Sequence, residues 1–249
     1  MVQDLELNKM KLDILVMAVH PDDAELSCSG TIALHVAQGK KVGIVDFTTG
    51  ELGTRGTPEI RLAESAEASK ILGLSARENL NFRDGFSTND EAHQMKLMEV
   101  IRRYQPEIVL ANAIDDRHPD HGRAAKLATD ACFYSGLRMI ETLDIHTKEV
   151  QVAWRPKAVY HYIQDRYIEP DFVVDISDYW SIKDAAVRAF KSQFYDPNSN
   201  EPESYLTSPE FLHFVEARSR DMGHKIGVSF GEGFTLPKPI GVRNLFSIF

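Results

Sequence analysis

Two short runs, Ala18-Val19-His20-Pro21-Asp22-Asp23-Ala24-Glu25 and Asp116-Arg117-His118-Pro119-Asp120-His121, gather imidazole and carboxylate side chains at close spacing. Imidazole with carboxylate is the donor set of a divalent transition metal, and each run offers more candidates than one ion needs. The surplus groups can do acid and base work. Pro21 stiffens the first run, so His20, Asp22 and Asp23 leave it in different directions. One carboxylate can then face a metal while its neighbour faces a water. In the second run His118 and His121 are three apart, with Asp120 between them. A His/Asp/His set with one open position is the arrangement of a catalytic rather than a structural zinc. Such an ion lowers the pKa of its water toward ~7, and a nearby carboxylate takes the proton as the water attacks a carbonyl. Fe(II), Co(II) and Mn(II) suit the same donors.

These groups need elements to hold them. Each run follows an apolar stretch that reads as a buried strand, Leu12 to Val19 and Ile108 to Ala113. Further strands are expected over Val42 to Thr48, Asn79 to Phe82, Ala158 to Ile163 and Phe172 to Ile176. Helices are expected up to Gln38 with Gly39 closing, from Thr57-Pro58 to Gly73, and over about Asp90 to Tyr104, Asp120 to Tyr134 and Ser177 to Phe194; a last one ends near Gly223. Strand and helix alternation predicts an α/β, Rossmann-like, doubly wound fold with a mostly parallel sheet. In such a sheet the active site lies at the C-terminal edge of the strands. The segment Tyr195 to Ser208 reads as a surface loop able to act as a lid. The Gly-rich Gly227 to Phe234 lacks the pattern of a nucleotide loop.

Taken singly, each histidine of the two runs is accounted for as a residue at the core's edge, and Asp22, Asp23 and Asp120 as helix caps. Taken jointly, six ionisable groups behind two strands of one sheet are a costly way to cap two helices. His161, His213 and His224 stand apart from the runs and read as structural or surface residues.

Composition narrows the rest. With 249 residues, 43% hydrophobic and 26% charged, the chain suits one large domain over 1–249. The polar start, Met1 to Lys11, and the short apolar run after it fit neither a signal peptide nor a membrane span, so a cytoplasmic protein with no membrane partner is expected. Cys28 and Cys132 read as buried, inert thiols. Twenty-eight basic against 37 acidic residues give a formal charge of −9, which argues against a nucleic-acid partner. On this acidic chain Arg55, Arg61 and Arg117 all fall near the edge that carries the two runs. Three guanidinium groups there suggest a small anionic substrate, since arginine grips carboxylates bidentately. Surface pairing with Glu51, Glu59, Asp115 or Asp116 is the alternative.

The two runs together resemble the signatures of the PIG-L/LmbE-like family of metal-dependent N-acetylglucosamine deacetylases. Within it the chain is most similar to bacillithiol biosynthesis deacetylases of the B1 type, through Gly56-Thr57-Pro58-Glu59-Ile60-Arg61, Asp175-Ile176-Ser177, Lys191-Ser192-Gln193-Phe194 and Gly231-Glu232-Gly233-Phe234. The resemblance implies zinc held by His20, Asp23 and His121, with Asp22 as general base. It also implies that His118 stabilises the oxyanion or protonates the leaving amine, and that Asp120 orients His118. Ala24 stands before Glu25 where many members have the glutamate directly, which spares every ligand position. The implied substrate is N-acetylglucosaminyl-malate, with Arg61 and Arg55 or Arg117 on its carboxylates, and the implied assembly is a homo-oligomer such as a hexamer. Other N-acetyl sugars, including chitin fragments, fit the same chemistry. A non-catalytic metal- or sugar-binding module is the competing class, and Asp22, redundant for coordination, speaks against it.

Overall fold

The computed structural model describes residues 10–242 and 244–247, so most of the polar Met1–Lys11 start lies outside the described residues. Seven strands form one sheet in the order β3-β2-β1-β4-β5-β7-β6. They are β1 (Ile14–Ala18), β2 (Val42–Thr48), β3 (Ala76–Phe82), β4 (Ile108–Ala111), β5 (Ala158–Tyr162), β6 (Phe172–Asp175) and β7 (Gly231–Thr235). β1 and β2 are unbroken apolar or buried runs, as parallel strands covered on both faces must be. Alternate residues of β1 feed two cores. Leu15 and Met17 pack with Leu97, Ile101 and Leu127, whereas Ile14, Val16 and Ala18 pack with Ile32, Ile44 and Tyr162.

Among the described residues six α-helices cover the sheet: α1 (Asp23–Ala37), α2 (Pro58–Leu72), α3 (Glu91–Tyr104), α4 (Pro119–Tyr134), α5 (Trp180–Arg188) and α6 (Phe211–Lys225). Their caps follow side-chain chemistry. The Thr57 hydroxyl accepts from the Ile60 amide at 3.3 Å, Pro58 opens α2, and Gly73 closes it at φ 67°. Among the described residues no helix is long and apolar enough to cross a membrane.

β1 pairs in parallel with β2 on one side and β4 on the other, in register Ile14↔Ile108 and Val16↔Leu110. The chain order reverses between β1 and β4, which opens a crevice at their carboxyl ends. This adjacency brings together two runs that lie far apart in sequence.

The mostly parallel sheet is as expected, with differences in detail. β3 starts at Ala76, earlier than Asn79. The Ser177–Phe194 helix is instead a 3-10 turn at Ser177–Tyr179 followed by α5, which stops at Arg188. β7 was not anticipated: the Gly-rich segment is a strand inserted antiparallel between β5 and β6. Its glycines allow close approach of neighbouring elements. A Cβ at Gly231 would lie 2.6 Å from Val173 Cγ1 and 2.9 Å from the Gly223 nitrogen, and one at Gly233 would lie 2.9 Å from Met222 Sδ.

α1 breaks its helical course at Cys28 (φ −140°, ψ 16°). Glu232 on β7 accepts there from the amides of Gly30 (3.0 Å) and Thr31 (2.7 Å), as a carboxylate at a helix start does. Lys183 of α5, 1% exposed, donates to Glu232 Oε1 at 2.6 Å and to the Leu26 carbonyl at 3.0 Å. The first turn of α1, which carries Asp23, is therefore tied from behind. Lys183→Met is expected to lower stability by about 3–5 kcal/mol, because the carboxylate of Glu232 loses its buried counter-ion. Urea unfolding measures it, and a loss below about 1 kcal/mol, the range of exposed pairs, would show the tie to be dispensable.

Candidate active site

A pocket of about 420 Å³ opens over the β1/β4 crevice, lined by both His/Asp runs and by Arg55, Arg61 and Arg117. His20, Asp22 and Asp23 come from the turn between β1 and α1; His118 and His121 come from the start of α4, where Pro119 takes the first helical position. The imidazoles of His20, His118 and His121 bring ring nitrogens within 4.8 Å of one another. Asp23 stands between two of them, its Oδ2 3.6 Å from His20 Nδ1 and its Oδ1 3.2 Å from His121 Nε2.

The outer nitrogens are each taken by a second carboxylate. His20 Nε2 lies 3.0 Å from Asp84 Oδ1, and His121 Nδ1 makes a short hydrogen bond with Asp116. Asp23 is itself fixed by the His20 amide (3.0 Å), Asn112 Nδ2 (2.9 Å) and Gln164 Nε2 (3.0 Å). A ring with its outer nitrogen on a carboxylate and its inner one facing a shared centre is how metal-ligating histidines are oriented. The spacing also fits: tetrahedral bonds of about 2.0–2.2 Å put neighbouring donors about 3.3–3.6 Å apart.

The electrostatics call for a cation at this centre. Burial acts to lower the His20 pKa, but hydrogen bonds with Asp23 and Asp84 outweigh it and push it up to about 10. For His121 burial again opposes, and the charge of Asp23 and the bond to Asp116 carry it up to about 9. Asp23 is held well below the usual carboxylate range, its burial overcome by His121 and His20. In the protein alone, ring protons supply the positive charge these carboxylates require. A divalent ion would satisfy the same carboxylates, with the rings neutral.

Asp22 is placed differently. Its backbone is left-handed (φ 111°), and its Oδ2 meets Arg61 Nη2 at 3.2 Å. Burial raises its pKa to about 7, with Arg61 pulling the other way. His118 is half-buried, and burial followed by the charges of His20 and His121 lowers its pKa. Its Nδ1 accepts from the Asp120 amide at 3.2 Å, so the neutral ring carries its proton on Nε2.

Several expected roles are placed elsewhere by this geometry. Asp120 meets His118 through its main-chain N–H and not through its carboxylate; Oδ1 accepts from Arg123 at 3.1 Å and the buried Oδ2 has no hydrogen-bond partner. Arg61 is committed to the Pro21 carbonyl (2.5 Å), Asp22 and the Gly50 carbonyl (3.4 Å), which makes it a support for the site's own carboxylate instead of an open grip. Arg117 pairs with Asp165 at 3.3 Å and lies over the Tyr205 ring at the rim. Arg55, 7% exposed, donates to the carbonyls of Pro202 (2.7 Å) and Glu201 (3.1 Å). It thereby pins the 195–208 segment, whose Tyr205 hydroxyl also donates to Asp165 at 2.8 Å.

Asp84, Asn112 and Gln164 were missed. Each lies just past a strand end, of β3, β4 and β5, so the rule that located the two runs also locates them. His161 bonds the Asn112 carbonyl (2.8 Å) and Thr129 (3.2 Å), while His213 and His224 are exposed on α6. Cys28 and Cys132 are buried, and burial raises both thiol pKa values.

The family described as GlcNAc-PI de-N-acetylase, PIG-L, matches residues 15–132. Diacetylchitobiose deacetylase of Thermococcus kodakarensis is 30% identical over 211 residues, which cover 77% of this chain and 74% of the relative. The 4-oxalmesaconate hydratase of Pseudomonas putida is 28% identical over 204 residues, 75% of this chain and 76% of its own length. The crystal structure of a conserved Thermus thermophilus protein aligns with a TM-score of 0.81 at 38% identity, covering 94% of this chain and 98% of that one.

Proposed function

The chain belongs to the PIG-L family of de-N-acetylases and is an N-deacetylase; from that premise we propose that it hydrolyses the acetamide of an N-acetylglucosaminyl compound, with N-acetylglucosaminyl-L-malate the preferred substrate. The observation that carries the reading is the separation of roles within one pocket. Asp23 lies between two imidazoles, while Asp22 stands next to them, buried, outside that arrangement and paired with Arg61.

His20, Asp23 and His121 would hold a divalent ion, most suitably zinc. When bound it supplies Lewis-acid polarisation of the acetamide carbonyl and acidifies a water. Asp22 accepts the proton of the attacking water, and a group with a pKa raised toward neutrality does this well. His118 donates from Nε2 to the oxygen that becomes negative. As the carbon–nitrogen bond breaks, Asp22 returns the proton to the leaving amine, so acetate and a free amine leave and the site is restored. Asp84 and Asp116 hold the two ligand rings, and Arg61 holds Asp22.

For the malyl group the supporting feature is Arg55, whose guanidinium lines the pocket and meets only main-chain carbonyls. The test is acetate release from N-acetylglucosaminyl-L-malate and from free N-acetylglucosamine. Release is expected with metal-loaded enzyme, to be abolished by a chelator and restored by zinc, and to favour the malyl compound. Because one relative is named a hydratase, acetate itself is the readout. No acetate from either compound at full metal loading would overturn the reading.

A further inference from the structure

The pocket wall holds one more guanidinium, that of Arg218 on α6, to which nothing above gives a role. Its Nη1 donates to the Gln164 carbonyl and its Nη2 to the Leu26 carbonyl at 3.2 Å. Both acceptors are main-chain oxygens. Among the described residues Arg218 forms no ion pair, whereas Arg61 faces Asp22 and Arg117 faces Asp165. A guanidinium has five N–H donors and stays charged at working pH, so three donors and a full positive charge remain available. Burial works against this charge, and the carboxylates of Asp165, Asp116 and Glu232 support it only through space, so an anion in direct contact would add the ion pair that the protein itself does not supply.

Its position is informative too. Gln164, whose carbonyl receives Arg218, donates through its side chain to Asp23 Oδ1, and Leu26 closes the turn that Asp23 opens. Arg218 therefore stands one residue away from the group that fixes the reacting centre. An anion seated there would belong to a molecule whose acetamide reaches that centre.

We propose that Arg218 is the specificity-determining residue of this pocket, binding a carboxylate on the substituent of the N-acetylglucosaminyl substrate through its unused N–H donors. The proposal rests on the deacetylase reading above. It assigns the anion to a different arginine from Arg61, and leaves Arg55, tied to the 195–208 segment, as the second contact for a dicarboxylate.

The experiment compares one N-acetylglucosaminide in two forms, its substituent ending in a carboxylate or in the matching carboxamide, with metal-loaded wild type and Arg218→Gln. Wild type is expected to favour the carboxylate. Arg218→Gln is expected to lose about 10- to 100-fold in kcat/KM on the carboxylate, chiefly through KM, as for a charge-assisted contact removed. On the carboxamide it should stay within about threefold, the pattern of lost ground-state binding. Equal losses on both forms would make Arg218 a brace for the Leu26 turn and overturn the proposal, as would a wild type indifferent to the charge. Should Arg218→Gln fail to fold, Arg218→Lys decides: keeping a point charge but not the planar fork, it should show an intermediate preference, and an unchanged one overturns the proposal. Acetate released from neither form marks the failure of the deacetylase reading; acetate without discrimination marks the failure of this inference alone.

Discussion

Asp22→Asn is expected to lower kcat by about 10²–10⁴ while metal content stays at the wild-type level, the range for a lost general base. The amide keeps the size of the carboxylate and an oxygen for Arg61, but it cannot accept a proton from water. Asparagine also tolerates the left-handed backbone found at this position better than other residues do, so the turn that carries His20 and Asp23 is undisturbed. The sign of the pH dependence follows from the same role. The base works deprotonated, so wild-type kcat/KM should fall as pH drops through its pKa. That pKa is about 7 in the protein alone, and a cation beside it moves it lower. The acid limb should be missing from the residual activity of the variant. Saturating turnover, elemental analysis and the pH profile together check this. Turnover close to wild type would remove Asp22 from the chemistry.

The second large effect concerns the ion. Asp23→Ala removes the one carboxylate that faces both imidazoles, and is expected to weaken divalent-metal binding by far more than 100-fold. Asp116→Asn, which only loosens the hold on His121, should cost about 10- to 100-fold, as for other groups behind a ligand. Competition with a chromogenic chelator ranks the two. Full occupancy in Asp23→Ala would invalidate the ligand set, and the reverse ranking would place Asp116 in direct contact with the metal.

What was readable beforehand depended on how local the physics is. β2 and α2 lie where they were expected because an unbroken apolar run, a Thr-Pro start and a left-handed glycine each act within a few residues. The chemistry of the two runs was legible for the same reason. Their meeting was expected from their shared place behind strands of one sheet and from the family resemblance, while the pairing that produces it, β4 beside β1, is set by the tertiary fold. β7 was hidden because its glycines answer to Val173 and Met222, residues that only the tertiary fold brings near. The arginines were the hardest to assign. A long side chain reaches whichever oxygen is in range, and for Arg61 and Arg55 those oxygens belong to Pro21 and Pro202. Asp84 shares with the two runs its place just past a strand end, but as a single carboxylate it had no cluster around it to single it out.

The tie from Glu232 to the break in α1 spans 202 residues. On a ribosome adding about 5–20 residues per second, roughly 5–20 s separate the appearance of His121 from that of Glu232. For that interval every proposed ligand has been made, but the turn that carries Asp23 has neither its carboxylate cap nor Lys183 anchored behind it. If the site takes an ion only once this tie is made, a chain stalled before β7 should emerge without metal.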